Sequence, residues 1–205
     1  MHQRFSGPIA GVQVDREASR ARSLTLRNAA SIEVTDWRSG RKTTIAAPEG
    51  ARVTDAAWVP GGGQVSFLAH FPDATHLYVA DAATGRARRV TRTPLLATLV
   101  TDVSWSADGR TVAAVLRPAG FGAEPARPAV APGPNVRLHQ EGREKNRTYA
   151  SLLETPHDMA LLEHFTTGQL ALVDVATGEA RDVGRPAMFR SVELSPDGTL
   201  LRVTT

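Results

Sequence analysis

The chain has 205 residues, 41% of them hydrophobic, and its 24 basic and 21 acidic side chains leave a formal charge of +3. That length can bury a substantial core, and the even mixing of signs argues against a nucleic-acid binder, whose bases gather on one face. The absence of cysteine excludes disulfide and thiolate chemistry, and no apolar run is long enough to cross a membrane.

From the amino terminus, Met1 to Pro8 lack the apolar stretch of a secretory signal. As it stands the chain is expected to be cytoplasmic, or exported if the start of a parent chain is missing. Lysine occurs only at positions 42 and 145, so 22 of the basic residues are arginines. The densest runs, 16 to 27 and 86 to 92, are broken by small or apolar residues, and no nucleic-acid or membrane partner is expected. Residues 1 to about 50 hold a lead-in segment and an early unit with the motif Ile32-Glu-Val-Thr-Asp-Trp-Arg-Ser-Gly-Arg-Lys-Thr-Thr-Ile45.

That motif returns as Leu77-Tyr-Val-Ala-Asp-Ala-Ala-Thr-Gly-Arg-Ala-Arg-Arg-Val90 and as Leu170-Ala-Leu-Val-Asp-Val-Ala-Thr-Gly-Glu-Ala-Arg-Asp-Val183. In each copy an aspartate ends a strand and a glycine four residues on reverses the chain. A second motif alternates with it: Ala56 to Leu68, Val103 to Leu116 and Val192 to Val203 each pair two apolar strands across a glycine-bearing turn, twice Asp-Gly. Asp36 and Asp81 are 45 residues apart and Trp58 and Trp105 are 47 apart. A period in the forties holding two hairpins means four strands per unit, the signature of a propeller blade; the competing architecture is an antiparallel sandwich without a true repeat.

The fold expected is therefore all-β, an incomplete β-propeller of about three to four four-stranded blades filling 1–205. The second blade spans 51 to 95, the third 98 to 117 plus 168 to 184, and a fourth starts at 187 and stops after two strands. This reads as truncation, with unpaired blade edges available for self-association. Trp58 and Trp105, at equivalent positions, are expected to pack between blades.

Residues 117–167 interrupt the repeat as a proline-rich and helical insertion. Prolines 118, 125, 128, 132 and 134 favour extended backbone. Thr155-Pro156-His157-Asp158 is a helix start, Met159, Leu162 and Phe165 form an apolar stripe, and Gly168 is expected to end the helix before a strand from Gln169. A second short helix is expected around Tyr149 to Glu154.

No catalytic, cofactor-binding or metal residue is assigned, and no cofactor. No serine has a glycine two positions before it, as the hydrolase elbow Gly-x-Ser-x-Gly requires. His157 and His164 lack metal-ligand spacing and are expected on a solvated helix face; His70 and His76 flank a turn. Gly120-Phe121-Gly122 lacks the third glycine of a dinucleotide loop, and Gly61 to Gly63 are followed by no Lys-Ser or Lys-Thr.

The order of Arg127-Pro-Ala-Val-Ala-Pro-Gly-Pro134, Arg147-Thr-Tyr-Ala-Ser-Leu-Leu153, His157-Asp-Met-Ala-Leu-Leu-Glu-His-Phe165 and Gln169-Leu-Ala-Leu-Val-Asp174 resembles the propeller of the glutamyl endopeptidase-like branch of the prolyl oligopeptidase family. The resemblance runs from about Gly7 to Thr205. It implies a carboxy-terminal α/β-hydrolase domain as partner, carrying a Ser-Asp-His triad, with the propeller restricting the access of peptide substrates. That hydrolase domain is absent from this sequence, so no catalytic residue is carried over and the chain alone is expected to be inactive. The alternative is an independent propeller serving as an interaction or scaffold module.

Overall fold

The computed structural model describes residues 9, 11–26, 28–127, 153 and 155–205. The chain opens with a short hairpin, β1 (Val14–Asp15) and β2 (Arg20–Ala21), followed by a 3-10 turn at Arg22–Thr25. Four sheets then follow. Sheet one is β3 (Ser31–Thr35) with β4 (Lys42–Ala46). Sheet two holds β5 (Arg52–Trp58), β6 (Gln64–His70), β7 (Thr75–Asp81) and β8 (Ala87–Arg89) in that spatial order. Sheet three repeats it with β9 (Ser104–Trp105), β10 (Thr111–Leu116), β11 (Thr167–Asp174) and β12 (Ala180–Asp182); β13 (Ala187–Met188) also pairs with β11. Sheet four is β14 (Ser191–Leu194) with β15 (Leu201–Thr204). The neighbouring strands of every sheet run antiparallel.

Register confirms that the repeat is structural. Trp58 lies opposite Val65 in sheet two, and Trp105 lies opposite Val112 in sheet three. By the same equivalence β3 and β4 are third and fourth strands, and β14 and β15 are first and second strands. The fold is an incomplete propeller whose sheets do not close into a ring.

The middle strands bury both faces, and alternation assigns each face to one neighbouring sheet. On β6, Val65, Phe67 and Ala69 meet Ile45 of sheet one, whereas Leu68 joins Val112, Ala114 and Val173 of sheet three. On the far side of sheet three, Val115 and Leu170 pack with Val192 and Leu201 of sheet four. Phe67 is 1% exposed and stacks on Tyr78 with ring centroids 5.7 Å apart.

Trp58 departs from the expected packing. Trp105 is half-buried against the core between sheets two and three, but Trp58 is 60% exposed. Its counterpart surface would come from first and second strands of sheet one, and among the described residues that sheet has only the third and fourth.

The β3–β4, β5–β6, β7–β8 and β11–β12 turns lie at one end of their sheets, where successive sheets interlock. Gly85 and Gly178 occupy equivalent turns with φ of +73° and +72°, and a Cβ on either would lie 2.5 and 2.6 Å from a backbone oxygen of the preceding sheet, at Thr44 and Val90. Only glycine permits both the left-handed backbone and the approach. Arg88 then donates from Nη1 to the Val175 carbonyl at 2.7 Å, and the Ala107 amide donates to the Pro196 carbonyl at 2.9 Å.

Between β10 and β11 the described part of the insertion ends in helix α1 (Pro156–Thr166). Thr155 and Asp158 form a reciprocal capping box: the Asp158 amide donates to Thr155 Oγ1 at 3.1 Å, and the Thr155 amide to Asp158 Oδ2 at 2.9 Å. The packed face differs from the expected stripe. Leu161 and Phe165 are buried against Ile9 and Val14, with Leu162 half-buried, while Met159 is 55% exposed. Gly168 does not end the helix. β11 starts already at Thr167, and Gly168 lies within that strand, where a Cβ would stand 2.3 Å from Val115 Cγ1. Apart from Leu153, the second helix expected around 149–154 lies outside the described residues.

Candidate functional site

The opposite ends of the sheets carry the β1–β2 hairpin, the link between β6 and β7, and the loop after β10. Together they line a cleft of about 1130 Å³. Among the described residues that line it, five carry guanidinium groups, Arg16, Arg20, Arg22, Arg52 and Arg117, and three carry carboxyls, Asp15, Glu17 and Glu124.

Two arginines knit distant segments into the cleft floor. Arg20, 7% exposed, pairs through Nη2 with Asp15 Oδ2 at 2.9 Å and donates from Nη1 to the Phe71 carbonyl at 2.7 Å. Arg117 donates from Nη2 to the carbonyls of Ala18 at 2.7 Å and Asp73 at 2.6 Å. Its guanidinium lies 5.4 Å from the centre of the Phe121 ring, and that ring stacks on His164 at 4.5 Å. Burial pulls the Arg117 pKa below its ordinary value, with Asp73 opposing. Burial also lowers His164, which Glu124 opposes.

His70 and His76 do flank the β6–β7 turn, but they are buried, at 5% and 6% exposure. The Thr54 hydroxyl donates to Asp55 at 2.5 Å, so its oxygen accepts from His70 Nε2 at 2.8 Å. His70 Nδ1 lies 3.0 Å from the Thr75 hydroxyl, which donates to it when the imidazole is neutral. Burial, reinforced by the nearby Arg20 charge, pushes its pKa down to about 4. His76 is lowered chiefly by burial, and its Nδ1 donates to the Thr91 carbonyl at 3.0 Å.

These polar groups were missed by sequence reasoning, because Arg20, Arg52, His70 and Arg117 come from four separate strand ends. The arginine run from 16 onward was the available signal. The two loops considered and set aside as nucleotide sites lie apart: Gly120 to Gly122 belong to the segment bordering the cleft, and Gly61 to Gly63 form the β5–β6 turn at the other end. His157 is not among the cleft residues, so the structure does not bring it together with His164 there. Among the described residues no three His, Asp or Glu side chains group as metal ligands, and no helix is long and apolar enough to cross a membrane.

No family model matches the sequence. Over 209 aligned residues, 96% of this chain, it is 26% identical to the probable glutamyl endopeptidase, chloroplastic, of Oryza sativa subsp. japonica. The chain is similar to one part of that relative. It spans 22% of the length of that relative. Among solved structures, one from a study of two prolyl endopeptidases is matched over 87% of this chain and 23% of its own, at 14% identity and a TM-score of 0.48. The acylaminoacyl peptidase of Pyrococcus horikoshii is matched over 79% and 21%, at 16% identity and a TM-score of 0.43. TolB of Acinetobacter baumannii is matched over 83% and 31%, at 12% identity and a TM-score of 0.45.

Proposed function

We propose that this chain is the non-catalytic, access-restricting propeller portion of a prolyl-oligopeptidase-like serine peptidase. Its partner in proteolysis would be an α/β-hydrolase domain, and its ligands would be peptides on their way to that domain. The observation that carries this reading is the alignment to a glutamyl endopeptidase over 96% of the chain. The placement of the insertion supports it. Stacked sheets give a rigid frame, and β10 and β11 hold a long segment at the cleft end without disturbing the ladder between them. No serine in the chain has the elbow context of a hydrolase nucleophile, so the peptidase chemistry belongs to the partner domain.

In a polypeptide joining this propeller to a hydrolase domain, deleting 119–166 should change the size range of peptides cleaved or the assembly state. An unchanged size range together with unchanged assembly would overturn the proposal. The chain 1–205 should also self-associate, because β3 and β15 each have an edge without a strand partner among the described residues. Sedimentation velocity showing a monomer at all concentrations would refute that association.

A further inference from the structure

Sheets two and three each hold a first to a fourth strand, whereas among the described residues sheet four has only a first and second and sheet one only a third and fourth. The two partial sheets are complementary halves of one blade. Their open edges also match in hydrogen-bonding phase. On β3 the Asp36 amide donates to the Arg41 carbonyl at 2.8 Å, so alternation turns the amides and carbonyls of Glu33 and Thr35 to the open edge. On β15 the Leu200 carbonyl accepts from the Ser195 amide at 2.8 Å, which leaves Leu201 and Val203 turned to the open edge in the same way. The repeat places Leu201 where Val65 and Val112 stand, and Thr35 where Ala80 and Val173 stand, and those residues lie opposite one another in both whole sheets. Val203 and Glu33 likewise match the rungs Phe67 with Tyr78 and Ala114 with Ala171. Trp58 marks the same gap from the side, since its 60% exposure is surface that first and second strands of sheet one would cover.

We propose that two copies of this chain close into one ring of six sheets, β15 of each pairing antiparallel with β3 of the other, with Leu201 opposite Thr35 and Val203 opposite Glu33. Each copy brings two whole sheets and two halves. Two joints therefore complete two further blades, and the ring falls within the roughly four to eight blades of closed propellers. Each joint runs head to tail and a two-fold axis repeats it, so no edge stays open. Val192 and Leu201 pack back on sheet three, so alternation presents Glu193 and Arg202 to the next sheet. In the ring that sheet is sheet two of the other copy, where Trp58 offers an indole face to the guanidinium. The inference rests on strand pairing and is independent of the peptidase reading.

The chain has no cysteine, so an introduced pair reports on this joint alone. Glu33→Cys combined with Val203→Cys should, on oxidation, give a covalent species of two chains on a non-reducing gel. Residues opposite one another in a hydrogen-bonded rung stand about 5.5 Å apart at Cα, within disulfide reach. Glu33→Cys combined with Arg202→Cys, which puts the thiols on opposite faces of the joint, should not cross-link. Without cysteines, sedimentation velocity of the chain 1–205 should show a concentration-dependent dimer. Val203→Pro removes an amide that only the joint uses, so it should weaken that dimer about tenfold or more and leave the β14–β15 ladder intact. A monomer at every concentration, a dimer that Val203→Pro leaves unweakened, cross-links confined within one chain, species of three or more chains, or equal cross-linking of the two cysteine pairs would overturn the proposal. A six-sheet dimer alongside an unchanged size range and assembly in the 119–166 deletion would overturn the access-restricting role alone.

Discussion

At the turn end of the sheets, contacts are short in sequence and repeat from blade to blade. Asp81 accepts hydrogen bonds from Thr84 two ways, Asp174 accepts from Thr177, and Asp36 accepts from Arg38 and Ser39. At the cleft end nothing repeats. Arg20 reaches 51 residues along the chain to Phe71, and Arg117 reaches 99 residues back to Ala18. One end is specified by local turn chemistry and fixes the stacking of sheets. The other is assembled only after those sheets stack, which leaves it free to carry a binding function.

The largest expected effect lies between the two ends, in the sheet interior on which both depend. Phe67→Ala removes a ring that is 1% exposed and stacked on Tyr78. It should cost about 3–5 kcal/mol, read as a lower urea midpoint with an unchanged slope. A loss below about 1 kcal/mol would mean that the interface between sheets one and two is not a packed core.

The ends also differ in how legible they are. Asp-Gly and Asp-x-x-Thr-Gly announce their turns because each aspartate bonds amides two or three residues ahead, so the sequence window contains the whole interaction. The helix start at Thr155 was legible for the same reason. Trp58 shows the limit: its equivalence to Trp105 holds in register, yet its burial depends on strands of another sheet. Met159 shows it again, since the hairpin with Val14 chooses Leu161 and Phe165 as the packed face. Beyond the arginine run from 16 onward the cleft left no local signal, because its members gain meaning only when β2, β5 and the ends of β6 and β10 converge.

A pH titration separates the ends further. His70 has its pKa lowered from 6.5 to about 4, so the unfolded chain takes up a proton that the folded chain refuses. The stability is therefore complete above pH 6.5 and falls as pH drops from 6.5 towards 4, by at most about 3 kcal/mol. His70→Gln should flatten that part of the melting-temperature profile. An equally steep fall in the variant would remove His70 as its cause.

The smallest effect belongs to the turns and appears at lower pH. The carboxyl of Asp81 is held below its ordinary value of 3.8, first by the Thr84 hydroxyl and then by the Thr84 amide; Asp174 is lowered by its own bonds to Thr177. For a lowered carboxyl the sign reverses with respect to which form is favoured: the folded state holds the ionised group, so the stabilisation is present above 3.8. It disappears as pH falls through the lower folded values, where the unfolded chain has already taken its proton. Because these carboxylates are exposed, each contributes little, and repetition makes the effect measurable. Asp81→Asn should lower the melting temperature slightly at neutral pH and should not lower it below the folded pKa, where the parent carboxyl is already neutral. A variant whose deficit is the same at both ends of the titration would show that the charge of Asp81 is irrelevant, and that glycine and backbone geometry alone make the turn.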